Sequence, residues 1–255
     1  MHRVRPITTP GPWRELGIFA LALLAYQASR AVVIGDAATA LDNTAAIVDA
    51  ERALGIFWEP AVQGWAAGHE GLLHVLNQFY LFAHLPVTAA FFVWVWRRRR
   101  PAYRVLRDGF LAANAIALAV FVALPVAPPR LAGLDGLDDT LRTVSGVDLH
   151  GGVLSGFFNP YAAVPSMHAG YALLVGVGVA LLARRAWVRA LALVYPAVVV
   201  LTIVATANHF VLDAVAGALV MALGLGGAAL ARRRVRRDRR AVGGAPGAST
   251  VVPVS

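Results

Sequence analysis

The chain has 255 residues, 58% of them hydrophobic, with a mean hydropathy of +0.65 and a formal net charge of +9. Such a composition leaves too little polar surface to coat a soluble helical core. The absence of Cys excludes both a disulfide framework and a thiolate metal site.

Residues 1–15 form a short basic lead. An apolar stretch follows at 16–35, interrupted by Arg30 near its end. An Ala-Thr-Ala triplet at 38–40 would suit a signal-peptide cleavage site, but the apolar stretch is long for a signal core. The preferred reading is an anchoring span, and cleavage would not invert the spans after it. Residues 36–71 read as an outer loop. It contains an amphipathic helix around 47–65 whose Trp58 and Trp65 suit a membrane interface.

Further apolar stretches lie at 72–96, 109–126, 165–183, 190–207 and 209–231, the last carrying one acid, Asp213, and the others no charge. Each is near or above the ~17 residues that cross a bilayer as a helix. Helices are the expected form because lipid cannot satisfy open backbone groups. A second outer loop, rich in Gly, Pro and Asp, covers 127–164. The expected fold is therefore all-α: an integral-membrane bundle of six transmembrane helices over residues 16–231, forming one membrane domain. The remainder, 232–255, is basic, then low in order-promoting residues over 241–255 (AVGGAPGASTVVPVS), where disorder is expected.

Every basic residue is Arg. Nearly all lie at Arg3, Arg5 and Arg14, at 97–107, at 184–189 and at 232–240, on alternate connections between spans. The other connections carry Asp36, Asp42, Asp49, Glu51, Glu59, Glu70, Asp135, Asp138, Asp139 and Asp148. This is the positive-inside pattern. It places both termini in the cytoplasm and assigns the basic runs to anionic lipid instead of nucleic acid. Arg without Lys, with abundant Ala, Gly and Val, points to a GC-rich bacterial genome.

Helix parity then gathers polar residues at one face. The third span leaves the membrane in LPVAPPRL (124–131), so Arg130 emerges outside. The fourth begins outside in AAVPSMHAGYALL (162–174), with His168 in its first turn. The sixth begins outside at NHFVLD (208–213). His209 and Asp213 are spaced to share a helix face. A carboxylate one turn away can fix an imidazole tautomer and leave the other nitrogen as base or nucleophile. The alternative is a structural pair that seals two helices. The Ser166 hydroxyl and the free N–H groups after Pro165 form an anion cradle, two histidines suit acid and nucleophile roles, and Arg130 suits phosphate oxygens.

APPR (127–130), PSMH (165–168) and NHFVLD (208–213), in that order, resemble motifs of the type 2 phosphatidic acid phosphatase (PAP2) superfamily. More narrowly, they resemble its inositol phosphorylceramide synthase-like (Aur1-like) branch. The resemblance covers roughly 47–220. It implies that His209 attacks phosphorus to form a phosphohistidine and that Asp213 orients it. His168 would protonate the leaving alcohol and then activate the acceptor. Arg130 and the region of Ser166 and Met167 would bind phosphate, without metal or cofactor. Asn208 is a second phosphate candidate, with a helix N-cap as its other role. The common phosphatases of the superfamily carry Gly where Met167 stands, a Lys…Arg-Pro first motif, and an Arg where Ile203 stands. The poorer cationic pocket favours the narrower branch.

The expected partner is a phospholipid or polyprenyl-phosphate substrate in the cell membrane, reached from the outer side, where ATP is absent. Transfer to an alcohol is preferred over hydrolysis. Inositol and ceramide are associations of the family alone. A non-enzymatic lipid-binding or assembly protein is the rival class. A channel is disfavoured because the polar residues gather at one end. Asn77, Tyr80 and His84 share one face of the second span. Interhelical bonding is their preferred role, as for Asn114, with head-group contact by Tyr80 and His84 as the second. HEGLLH (69–74) is near a zinc-protease motif, but its two His lie about 140° apart around a helix, so they cannot share a metal. DGLDDTLR (135–142) lacks the further residues of a CDP-alcohol phosphotransferase.

Overall fold

The structure, a computed structural model, describes residues 11–32, 37–149 and 159–243. The lead before residue 11, the end of the first expected span, part of the second loop (150–158) and the tail from 244 lie outside the described residues.

Ten α-helices are described: α1 Pro12–Val32, α2 Ala37–Leu54, α3 Glu59–Ala67, α4 Glu70–Gln78, α5 His84–Arg98, α6 Arg100–Ala123, α7 Thr140–Thr143, α8 Met167–Leu182, α9 Ala186–Ala205 and α10 Val211–Gly243. One π-helical turn, Phe79–Ala83, joins α4 to α5, and a 3₁₀ turn spans Pro129–Leu131. There is no strand among the described residues, only a parallel bridge between Val126 and Ala162.

Among the described residues, four segments are long and apolar enough to cross a membrane: Gly71–Arg98, Arg100–Ala123, Ala186–Ala205 and Val211–Val235. They correspond to the second, third, fifth and sixth expected spans. The fourth, α8, is apolar but has 16 residues, about 24 Å of helix against the ~30 Å of a hydrocarbon core. α1 covers most of the first expected span.

Three boundaries differ from expectation. The single amphipathic helix around 47–65 is two helices. Gly55, at φ +69°, ends α2 in the left-handed conformation that glycine adopts without cost, and α3 restarts at Glu59. The connection expected at 97–108 shrinks to Arg99, because Pro101 sits in the first turn of α6 and the arginines after it are helical. α10 runs on to Gly243, so Arg232–Arg240 extend a helix beyond its apolar part.

The core lies among α5, α6, α8 and α10, where Phe91, Phe92, Tyr103, Phe121, Leu174 and Met221 are buried together. α10 is the central element, packed on both α6 and α8. Small residues make this possible: a methyl group at Gly224 would collide with the Gly109 carbonyl, and one at Gly217 with the Ser166 carbonyl. α1 joins through Phe19, which packs on Phe92 and Phe110 at 5.4 and 5.9 Å. Its Glu15 is buried and accepts from Tyr103 Oη and Arg107 Nη1, both at 2.6 Å. Arg107 also pairs with Asp108, which Arg232 of α10 reaches.

Candidate active site

Four stretches far apart in sequence meet at the end of the bundle where α8 and α10 begin. Ser166 caps α8 with its hydroxyl, which accepts from Ala169 N–H. The Ser166 N–H donates to the Asp213 carbonyl at 2.9 Å. Gly217 allows this close approach, so PSMH and NHFVLD are fastened to each other through backbone.

His168 stands in the first turn of α8, as its position after Pro165 predicts. Its ring centroid lies 5.7 Å from that of His209. His209 stands in the turn before α10, not in the helix itself. Its Nδ1 lies 3.0 Å from the Ala163 carbonyl oxygen and 3.3 Å from Asp213 Oδ2. Both partners are acceptors, so Nδ1 carries the proton and Nε2 bears the lone pair. The carbonyl is itself held: Ala163 N–H donates to the Val126 carbonyl, and Val126 N–H donates to Tyr161.

Arg130 follows the same strap. Its N–H donates to the Ala207 carbonyl at 2.9 Å, its Nε to Asn208 Oδ1 at 2.9 Å, and its Nη1 to Asp139 Oδ2 at 3.2 Å. The guanidinium is close enough for its charge to act on the His209 ring. Asn208 is therefore not the N-cap of α10, which begins at Val211. Its amide holds Arg130 on one side and donates to Thr206 on the other. The residue between them, Ala207, is buried at φ +50°, an uncommon conformation for a residue with a β-carbon. Met167 packs against the main core.

The second span is also drawn in. The π-helical turn brings Tyr80 and His84 together onto His168, at ring-centroid distances of 4.5 and 4.6 Å. His84 is buried, stacks on Tyr171 at 5.4 Å, and has no hydrogen-bond partner on either ring nitrogen. Asn77 turns elsewhere and binds Thr140 and Ser145 around α7. Asn114 accepts from Tyr171, the interhelical bond expected of it. Of the zinc-like pair, His69 binds the Trp65 carbonyl and His74 approaches Ser145, so the two point to different neighbours.

Sequence reasoning missed the scaffold supplied by the first loop. α2 holds the APPR strap: Asn43 donates to Pro125 O, and Thr44 Oγ1 accepts from Ala127 N–H. Gln63 of α3 bonds both backbone groups of Asp138. Most directly, Glu59 Oε1 accepts from Val211 N–H at 2.8 Å and Glu51 Oε1 from Leu212 N–H at 2.7 Å. Asp213 Oδ2 accepts from Phe210 N–H at 2.9 Å. Three successive N–H groups at the start of α10 thus end on three carboxyl groups. The only signal in the sequence was two acids in a loop otherwise read for charge topology.

A cleft of about 400 Å³ lined by Trp94, Arg99 and Arg184 lies at the other end of α8 and holds no nucleophile–base pair. Among the described residues no cluster of His, Asp or Glu has metal-binding geometry. The family model described as the PAP2 superfamily matches residues 45–226. No curated protein and no solved structure matches the chain.

Proposed function

This chain belongs to the PAP2 superfamily, and we propose that it moves phosphate between lipid-linked alcohols, or from such a lipid to water, through a covalent bond to His209. The observation that carries this reading is the double anchoring of His209 Nδ1 by Ala163 and Asp213. It leaves Nε2 as the nucleophile, on a ring that faces His168.

The steps balance as follows. Nε2 attacks phosphorus, the N–P bond forms and the bond to the leaving oxygen breaks, while His168 gives that oxygen a proton. An alcohol or water then surrenders a proton to His168 and attacks phosphorus, and the N–P bond breaks. Asp213 stabilises the positive charge on the phosphorylated ring, and Arg130 offsets charge on the phosphate oxygens. Ser166, Met167 and Asn208 shape the phosphate end of the site.

Tyr80 and His84 extend it toward the head group. A buried imidazole with two unpartnered nitrogens suits a polyhydroxylated group better than an acyl chain. This supports the inositol phosphorylceramide synthase-like type of reaction, transfer over hydrolysis, as does the set of three motifs. The site lies at the end of α8 opposite Arg99, which caps the Leu182 carbonyl. With the arginine-rich connections in the cytoplasm, it opens on the outer face.

Purified protein in lipid–detergent micelles, given phosphatidate, phosphatidylinositol and a polyprenyl phosphate labelled at phosphorus, tests the reading. Wild type moves label into a second lipid, or into free phosphate or, from phosphatidylinositol, inositol phosphate, and His209→Ala does not. Equal turnover by the two proteins overturns the proposal. The labelled product separates transfer from hydrolysis.

A further inference from the structure

Glu51 and Glu59 come from different helices of the first loop, yet both are wholly buried against the start of α10. Each spends one oxygen on a backbone N–H of that helix. The other oxygens, Glu51 Oε2 and Glu59 Oε2, have no donor, and because the bonded oxygens take the N–H groups of adjacent residues, Leu212 and Val211, the two carboxyl groups stand side by side. Two carboxylates cannot face one another unscreened in a buried site; one proton between them turns the repulsion into a hydrogen bond.

We infer that Glu51 and Glu59 are positioning residues for the phosphoryl-transfer site: they share one proton, and the pair clamps the first turn of α10 so that His209 Nε2 stays aimed at phosphorus. This rests on the reading of His209 given above.

The neighbours agree with a retained proton. Burial foremost pushes the Glu51 carboxyl up to about 8, with the charges of Glu59 and Asp213 adding to the rise and the Leu212 N–H opposing it. The titratable groups that face Glu51 are Glu59 of α3 and Asp213 of α10, and both carry the same sign when ionised. The start of a helix favours negative charge, which lets the cluster keep part of its charge but not all of it. The Asp213 that orients His209 therefore stands beside the pair, and loss of the shared proton brings a further negative charge to the base of the catalytic dyad.

The sign follows from proton linkage. In the unfolded chain Glu51 releases its proton near its ordinary value of 4.5; in the folded chain it holds it to about 8. The folded state binds the extra proton between these values, so this contribution to stability is complete below pH ~4.5 and is lost as pH rises toward 8.

Glu51→Gln is the decisive variant. Its amide oxygen accepts from Leu212 N–H and its amide N–H replaces the shared proton. The full chain in micelles is followed by thermal unfolding from pH 5 to 9 and by turnover of whichever labelled donor wild type accepts. The wild-type midpoint falls with rising pH, and Glu51→Gln flattens that fall. Glu51→Gln keeps kcat within ~3-fold of wild type and holds it to higher pH. Glu51→Ala loses at least ~10-fold in kcat with little change in KM, as expected for a displaced nucleophile. A Gln variant as impaired as the Ala variant, or one with the wild-type pH slope, overturns the shared proton. A kinetically silent Glu51→Ala overturns the positioning role. The unfolding arm stands even if no donor is turned over, a result that would sink the catalytic reading instead.

Discussion

Asp213 Oδ2 reaches two neighbours at once: the His209 ring at 3.3 Å and the Phe210 backbone N–H at 2.9 Å. One carboxylate oxygen thus fixes both the tautomer of the histidine and the turn that carries it. Asp213→Asn keeps the shape but offers the ring the wrong hydrogen-bonding group. Turnover is expected to fall by about 10²–10⁴-fold, with the unfolding midpoint shifted by only a few degrees. Turnover within a few-fold of wild type would remove Asp213 from the mechanism.

The approach of α8 to α10 depends on Gly217. Gly217→Ala forces the Ser166 carbonyl away and separates the first turn of α8, which bears His168, from the turn before α10, which bears His209. A loss of about 1–3 kcal/mol in stability is expected for such overpacking, together with reduced kcat. Gly226→Ala, on the same helix but facing open space, serves as control. It leaves both unchanged or raises stability slightly through helix propensity. Equal behaviour of the two variants in unfolding and turnover would contradict the close-packing argument.

His84 tests the head-group end. Because its ring nitrogens have no protein partner, His84→Phe keeps the stacking on Tyr171 and removes only unsatisfied polar atoms, a change expected to be neutral or stabilising. KM for the donor should rise by about 10-fold while the midpoint holds. A lowered midpoint with unchanged KM would assign His84 a purely structural role.

Glu15 tests the attachment of α1. Removing its carboxylate leaves the Tyr103 hydroxyl and part of Arg107 buried without their partner. Glu15→Ala should cost about 2–4 kcal/mol, discounted toward the lower end because Arg107 keeps Asp108. Thermal unfolding in detergent measures it, and an unchanged midpoint would mean that α1 contributes little to the folded bundle.

The apolar stretches between arginine clusters marked the four long spans because bilayer thickness and backbone hydrogen bonding leave few alternatives. Charge counting and helix parity likewise predicted that His168, His209, Asp213 and Arg130 would lie at the same end of their helices. Three features were missed. Gly55 and Pro60, a helix stop and a helix start, divide the loop helix that was read as one. The π-helical turn at Phe79–Ala83, which brings Tyr80 and His84 together, is marked only by Pro86, which has no N–H to give the Phe82 carbonyl four residues back. The bonds from Glu51 and Glu59 to Leu212 and Val211 span more than half the chain, and periodicity carries no information at that separation. Asn208, read as a cap or a phosphate ligand, became a prop for Arg130 because α10 begins at Val211, where Asp213 and the two glutamates satisfy its first N–H groups.

The central claim is that phosphorus becomes bonded to His209. Wild type mixed with the labelled donor it turns over, quenched within milliseconds in alkaline denaturant and separated from lipid, should carry label on the protein, stable to alkali and released by acid. The label should map to the peptide containing His209 and be absent from His209→Ala. Label retained by that variant, or a wild type that turns over the donor yet carries none at any quench time, would contradict the account.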